Sequence, residues 1–73
     1  MHKRHTPLVT VVVPSFNEDP HIVRASIESI RAHIFTDFEC IVVDESTRPE
    51  LADACRVVCS EDPRFIYIHP TQR

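Results

Sequence analysis

The sequence contains no glycine among its 73 residues. Dinucleotide-binding GxGxxG loops and Walker A loops both place glycine backbone against a phosphate, so neither can be present. A basic excess is also lacking, because eight Lys and Arg are outnumbered by eleven Asp and Glu, which gives a formal net charge of −3. Nucleic-acid-binding proteins carry a basic patch, so we expect no nucleic acid partner.

Long apolar runs and paired cysteines are missing as well. No run approaches the roughly 18 apolar residues of a membrane-spanning helix, and the start of the chain does not have the pattern of a secretory signal. The three cysteines, Cys40, Cys55 and Cys59, are an odd number without CxxC spacing, which argues against a disulfide framework and favours a reducing compartment. We therefore expect a cytoplasmic location, with attachment to the cytoplasmic face of a membrane left open for a longer form.

Three short apolar segments are expected to form strands, at residues 8–13, 38–43 and 65–68. The first is β-branched and apolar on both faces, which is typical of central parallel strands covered on both sides. Pro14 is expected to end it. Residues 1–7 are interpreted as a flexible arm, and Thr36-Asp37 as a turn.

Two amphipathic stretches between these segments predict helices. Asp19 suits the N-cap of the first, and Pro20 suits its first helical position. The expected buried stripe of this helix comprises Ile22, Val23, Ile27, Ile30 and Ile34. A second start is offered by Ser46, Thr47 and Pro49, and its expected buried stripe comprises Leu51, Ala54, Cys55 and Val58.

The element order predicts an α/β fold, βαβαβ, with three parallel strands and two helices. Crossovers between parallel strands are right-handed in nearly all proteins, so strands added in one direction place both helices on one face of the sheet. The other face would then be bare although it is apolar, which makes a poor free-standing domain. We infer that residues 8–73 are the N-terminal portion of a larger, incomplete α/β domain, whose missing C-terminal part covers the second sheet face.

Two polar clusters follow the first two strands, Pro14-Ser15-Phe16-Asn17-Glu18 and Asp44-Glu45-Ser46-Thr47. In parallel sheets both clusters lie at the carboxyl edge, where ligands bind in open α/β folds. A plainer interpretation is also open, in which the same residues are strand exits, turn residues and helix caps. Cys55 and Cys59, four residues apart on one helical face, are interpreted as buried thiols rather than metal ligands.

The ordered motifs resemble the start of family 2 glycosyltransferases of the GT-A fold. The matching features are an apolar strand ending in Pro14-Ser-Phe-Asn-Glu18, then Asp37-Phe-Glu39 leading into a strand that ends at Asp44, and finally Asp62-Pro-Arg-Phe65. The resemblance covers the chain from about Leu8 onward. This sequence departs from the family pattern at Glu45, where a second Asp is usual, and in the missing glycine that follows.

The resemblance implies transfer of a sugar from a nucleotide-diphosphate donor, most readily a UDP-sugar, to an acceptor hydroxyl of a saccharide or a lipid-linked molecule. The residues implied to border the nucleotide are Pro14, Phe16, Glu18, Asp44 and Glu45. A divalent cation, Mg²⁺ or Mn²⁺, is expected for the complete enzyme, where it neutralises charge on the leaving diphosphate. The usual Asp-x-Asp segment and the general base are not in this sequence, so no catalytic or metal residue is assigned and the isolated chain is expected to be inactive.

Two alternatives stay open. One is a non-enzymatic receiver-like or flavodoxin-like module, which shares the strand–helix alternation and the acidic strand ends. The other is a non-functional truncated remnant of a transferase. Arg73 is a further candidate for a phosphate contact, in the region where the chain of the family passes near the donor.

Overall fold

The computed structural model describes residues 7–34 and 37–70. In these ranges the elements are β1 (Val9–Ser15), α1 (Pro20–His33), β2 (Phe38–Asp44), α2 (Pro49–Cys59) and β3 (Phe65–Ile68). The predicted βαβαβ order is confirmed. Most of the N-terminal arm, Thr36 of the predicted turn and Arg73 lie outside the described residues. Within the described ranges, no helix is both long and apolar enough to cross a membrane.

The three strands form one parallel sheet in the order β1-β2-β3. The central strand is therefore β2, and the expectation that the first strand is central is wrong for the described sheet, where β1 lies at an edge. Pro14 does not end β1 either, since it pairs with Val43 and the strand continues to Ser15. An edge strand tolerates proline because its outer side makes no ladder hydrogen bonds.

Helix α1 begins as the sequence predicts. Asp19 is the N-cap, its Oδ1 accepts from the backbone N–H of His21 at 2.8 Å, and Pro20 follows in the first turn. Helix α2 begins differently, because its N-cap is Arg48, whose side chain makes no capping hydrogen bond. The predicted start at Pro49 is confirmed, because Pro49 is the first residue of α2. The expectation that Ser46 or Thr47 caps the helix is wrong, and both residues belong to the preceding loop.

Replacing Asp19 with alanine is expected to destabilise the chain by about 1 kcal/mol, because a free N–H group of the first turn of α1 loses its acceptor. Chemical denaturation followed by circular dichroism measures the change. Asp19→Asn, which keeps an acceptor oxygen, serves as the control and should cost less than half as much. Equal losses in both variants would show that the cap contributes nothing through its hydrogen bond.

The core lies between the two helices and one face of the sheet. Strand β1 contributes only Val11 and Val13, which are partly buried at the margin of the core. The buried side chains come from the other four elements and are Val23, Ile27, Phe38, Cys40, Val42, Cys55, Val58, Cys59 and Phe65. Phe38 and Phe65 meet edge to face at 5.9 Å between ring centroids. The buried stripes differ in part from the prediction, since Ile22 is 54% exposed and Ala52 and Cys59 are buried.

The opposite face of the sheet carries no helix within the described residues. Val12, Ile41 and Ile66 form one row across the three strands, and Val43 and Ile68 belong to the next. Val12 is 62% exposed, and Ile66 and Ile68 are each more than 40% exposed. We call this surface the open face. The prediction of two helices on one side and an apolar surface on the other is confirmed.

Candidate functional site

The two polar clusters meet at the carboxyl edge of the sheet. The final pair in the β1–β2 register joins Ser15 to Asp44, and the backbone N–H of Glu45 donates to the carbonyl of Ser15 at 2.9 Å. The loops that follow β1 and β2 therefore start side by side. This is the juxtaposition that parallel pairing predicts for the two motifs.

Asn17 joins the two loops through its side chain. Its Oδ1 accepts from the backbone N–H groups of Thr47 at 3.0 Å and Arg48 at 3.1 Å, and its Nδ2 donates to Thr47 Oγ1 at 3.1 Å. The backbone N–H of Asn17 also donates to Ser46 Oγ at 2.7 Å. We call these four hydrogen bonds the Asn17 clasp.

The backbone of Asn17 is in the left-handed region, with φ of 49°. Asparagine is enriched in that conformation among non-glycine residues, so it suits a glycine-free chain at this position. The turn directs the amide across to residues 47 and 48, one strand away. Asn17 thereby supplies an acceptor beside the start of α2, where the side chain of Arg48 supplies none.

Asp44 lies beneath the loops and is fully buried. Its Oδ1 accepts from the backbone N–H of Ser46 at 3.0 Å and from the Ser46 hydroxyl, and its Oδ2 accepts from the Tyr67 hydroxyl at 2.7 Å. Burial by itself would raise the pKa of Asp44, but the hydrogen bonds from Ser46 and Tyr67 outweigh it and hold the pKa below its usual value. Asp44 is therefore a buried carboxylate that stays ionised.

The end of β3 contributes two residues that the sequence analysis did not assign to the site. Burial, together with the hydrogen bond to Asp44 and the charge of that carboxylate, raises the pKa of Tyr67. His69 Nε2 lies 3.0 Å from the Ser46 carbonyl oxygen, and its ring stacks near that of Tyr67. A carbonyl only accepts, so Nε2 carries the proton. The sequence carries only a weak signal that Tyr67 belongs to the site. Tyr67 is the single tyrosine of the chain, and its hydroxyl is the one polar side-chain group of an otherwise apolar strand.

An open groove lies above this network. It is lined by Pro14, Ser15, Phe16, Glu18, Val43 and Glu45, with an empty volume of about 600 Å³ that includes open solvent. Phe16 is 60% exposed, and Glu45 is exposed as well. Four of the five residues that the resemblance implies for nucleotide contact line the groove, and the fifth, Asp44, lies below it without an exposed surface.

The thiols and carboxylates do not assemble a metal centre in residues 7–34 and 37–70, where no group of three His, Cys, Asp or Glu could hold an ion. Cys40, Cys55 and Cys59 are free and buried, which confirms the prediction of buried thiols for Cys55 and Cys59. Burial raises the pKa of all three thiols, that of Cys59 to about 12. They are therefore protonated core side chains.

The chain matches the family model described as glycosyl transferase family 2 over residues 10–73. The chain therefore belongs to glycosyl transferase family 2. It is 42% identical over 59 residues to an uncharacterized protein, y4gI, of Sinorhizobium fredii strain NGR234, covering 80% of this chain and 6% of that protein. It is also 42% identical over 67 residues to an N-acetylglucosaminyltransferase of Rhizobium meliloti strain 1021, covering 89% of this chain and 16% of that protein. No solved structure gives a significant match.

The chain thus spans less than a fifth of the length of these curated relatives. Family membership favours the transferase interpretation over the receiver-like or flavodoxin-like alternative. The α/β arrangement of three parallel strands and two helices is that of the start of a GT-A domain.

Proposed function

We propose that the groove formed by Pro14, Phe16, Glu18 and Glu45 binds the nucleoside part of a nucleotide-diphosphate sugar, most readily a UDP-sugar. The observation that carries the proposal is that these residues, separated by up to 31 positions in the sequence, line one groove at the carboxyl edge of the sheet. Family membership supplies the class of ligand. The sugar is then passed to a hydroxyl of a saccharide or lipid-linked acceptor.

The charge of the groove favours the nucleoside over the diphosphate. Glu18 and Glu45 both line it, and two carboxylates repel phosphate oxygens while accepting hydrogen bonds from ribose hydroxyls or a base N–H. The exposed ring of Phe16 provides a flat surface on which a base can stack, and base–aromatic stacking contributes about 1–3 kcal/mol. Asp44 lies below the groove, and we propose that it contributes to binding indirectly, by fixing the loop that carries Glu45.

A divalent cation, Mg²⁺ or Mn²⁺, is part of the proposal for the complete enzyme only. The residues that the structure describes do not form a group able to hold it, and the sequence has no Asp-x-Asp segment. We therefore propose that residues 8–73 are an incomplete domain that lacks transferase activity by itself. The cytoplasmic location expected from the cysteines is retained as part of this proposal.

The test uses the complete product of the reading frame that encodes this chain, so the first step is to sequence the DNA beyond codon 73. Titration calorimetry with UDP and UDP-N-acetylglucosamine, with and without Mn²⁺, then measures binding. Phe16→Ala and Glu45→Gln should each raise Kd about tenfold, because stacking in one case and a charge-assisted hydrogen bond in the other are lost.

Glu28→Gln is the matched control, because it makes the same chemical change on the exposed side of α1 and should leave Kd unchanged. If no nucleotide-diphosphate sugar binds to the complete product, with or without the cation, the proposed function is wrong. A stop codon directly after position 73 would instead support the truncated remnant.

A further inference from the structure

We propose that Asn17 is a positioning residue of the donor site, which holds the loop of residues 45–48 so that Glu45 faces the groove. The inference rests on the proposed function of that groove. Asn17 itself is not among the groove-lining residues, so it acts on the ligand through the loop that it holds.

The contacts of Asn17 are concentrated on the loop that follows β2. The Asn17 clasp spans 29 to 31 positions of sequence and reaches the three consecutive residues that follow Glu45. Glu45 is held on its other side by the hydrogen bond from its own N–H to Ser15. Glu45 therefore lies between two attachments, one to Ser15 and one to Asn17. These hydrogen bonds join the two sides of the groove.

Within the described residues, the start of α2 has no other side chain that replaces the clasp. The N-cap residue Arg48 makes no side-chain capping bond, and its guanidinium pairs with Glu50 at 2.7 Å. Without the amide of Asn17, the N–H groups of residues 47 and 48 lose the acceptor that the structure gives them. Residues 47 and 48 can then move, while Ser46 stays bound to Asp44 and the strands beneath remain paired.

The backbone and side-chain roles of Asn17 can be separated by substitution. Asn17→Gly keeps the left-handed conformation, because glycine adopts positive φ readily. It removes the three side-chain hydrogen bonds of the clasp and keeps the one from the backbone N–H to Ser46 Oγ. Asn17→Asp also tolerates this conformation and retains oxygens that accept from Thr47 and Arg48. If the side chain is what positions the loop, Asn17→Gly should raise the Kd for UDP about tenfold, and Asn17→Asp should restore it to within about threefold of the starting protein.

A double-mutant cycle with Glu45→Gln provides the readout that a merely structural role would not change. If Asn17 acts through Glu45, Asn17→Gly in the Glu45→Gln background should raise Kd by less than about threefold, because coupled residues are not additive. Hydrogen exchange at the amides of Thr47 and Arg48, measured without ligand, should accelerate in Asn17→Gly and stay slow in Asn17→Asp.

Asp62→Asn is the matched control for stability. Asp62 is buried and binds the backbone and guanidinium of Arg64 before β3 begins, at the opposite edge of the sheet, so its loss should lower stability without changing Kd. Additive effects of Asn17→Gly and Glu45→Gln would overturn the inference about Asn17 while leaving the proposed function standing. Absence of UDP binding by the unsubstituted complete product would overturn both.

Discussion

Replacing Asp44 with alanine should reduce the free energy of unfolding by about 3 kcal/mol, because hydrogen bonds to a buried charge contribute about 1.5–3 kcal/mol each and two of the three donors are left without a partner. The donors are the Ser46 backbone N–H, the Ser46 hydroxyl and the Tyr67 hydroxyl. The Tyr67 hydroxyl keeps a second acceptor, the Ala52 carbonyl at 3.1 Å. Urea denaturation of the complete product, monitored by tyrosine fluorescence and circular dichroism, measures the loss. Glu28→Gln, on the exposed side of α1, is the control and should change stability by less than about 0.5 kcal/mol.

The effect should depend on pH in a defined direction. The pKa of Asp44 is lower in the folded chain than its ordinary value of 3.8, so folding favours the ionised form and the contribution is complete above that value. It is lost as the pH falls below 3.8 through the folded pKa. The difference between the unsubstituted protein and Asp44→Asn should therefore be constant near neutral pH and shrink in acid. A difference that does not change between pH 7 and pH 2 would contradict the assignment of an ionised Asp44.

Val42 and Ile41 are adjacent in β2 and lie on opposite faces of the sheet. Replacing each with Asp should affect folding differently in the 73-residue chain and in the complete product. Val42 is 2% exposed beneath the helices, so Val42→Asp should prevent folding both in the 73-residue chain and in the complete product, because an unpaired buried charge costs several kcal/mol. Ile41 lies on the open face. Ile41→Asp should be tolerated by the 73-residue chain and should prevent folding only where further sequence covers that face.

The measurement compares soluble yield and circular dichroism of both variants at both lengths. If residues 8–73 form an incomplete domain, the effect of Ile41→Asp on folding must differ between the two chain lengths. The effect of Val42→Asp must be the same at both lengths. If Ile41→Asp is equally mild in both forms, nothing covers the open face, and the domain is complete without further sequence. If it is equally severe in both, the open face is already buried in the isolated chain by association between copies.

The element order and the location of the site could be predicted because they depend on local patterns. Each of these patterns is contained in a few neighbouring residues. The apolar runs mark the strands, Asp19-Pro20 marks the start of a helix, and the polar clusters after two strands mark the site. The boundary of β1 could not be predicted in the same way. Whether Pro14 ends a strand depends on whether that strand lies at an edge, and position in the sheet is set by pairing across the whole chain.

The contacts inside the site could not be predicted for a related reason. The depth of Asp44 follows from the register that sets Ser15 beside Asp44 and Cys40 beside Phe65, and a shift of one residue would turn the carboxylate to the opposite face. The hydroxyl of Tyr67 reaches Asp44 only in this register. The positive φ of Asn17 agrees with the interpretation of its cluster as turn residues, but its reach to residues 46–48 depends on the geometry of the second loop.

The edge position of β1 has a consequence for handling the isolated chain. Its sequence, Val-Thr-Val-Val-Val-Pro-Ser, combines high β propensity with no charged residue, and an uncovered strand of that kind pairs readily with another copy. Pro14 interrupts only the end nearest the groove. Accumulation of the free 73-residue polypeptide should therefore be limited by edge-to-edge assembly along β1, which dilution or a lysine placed at Thr10 would suppress.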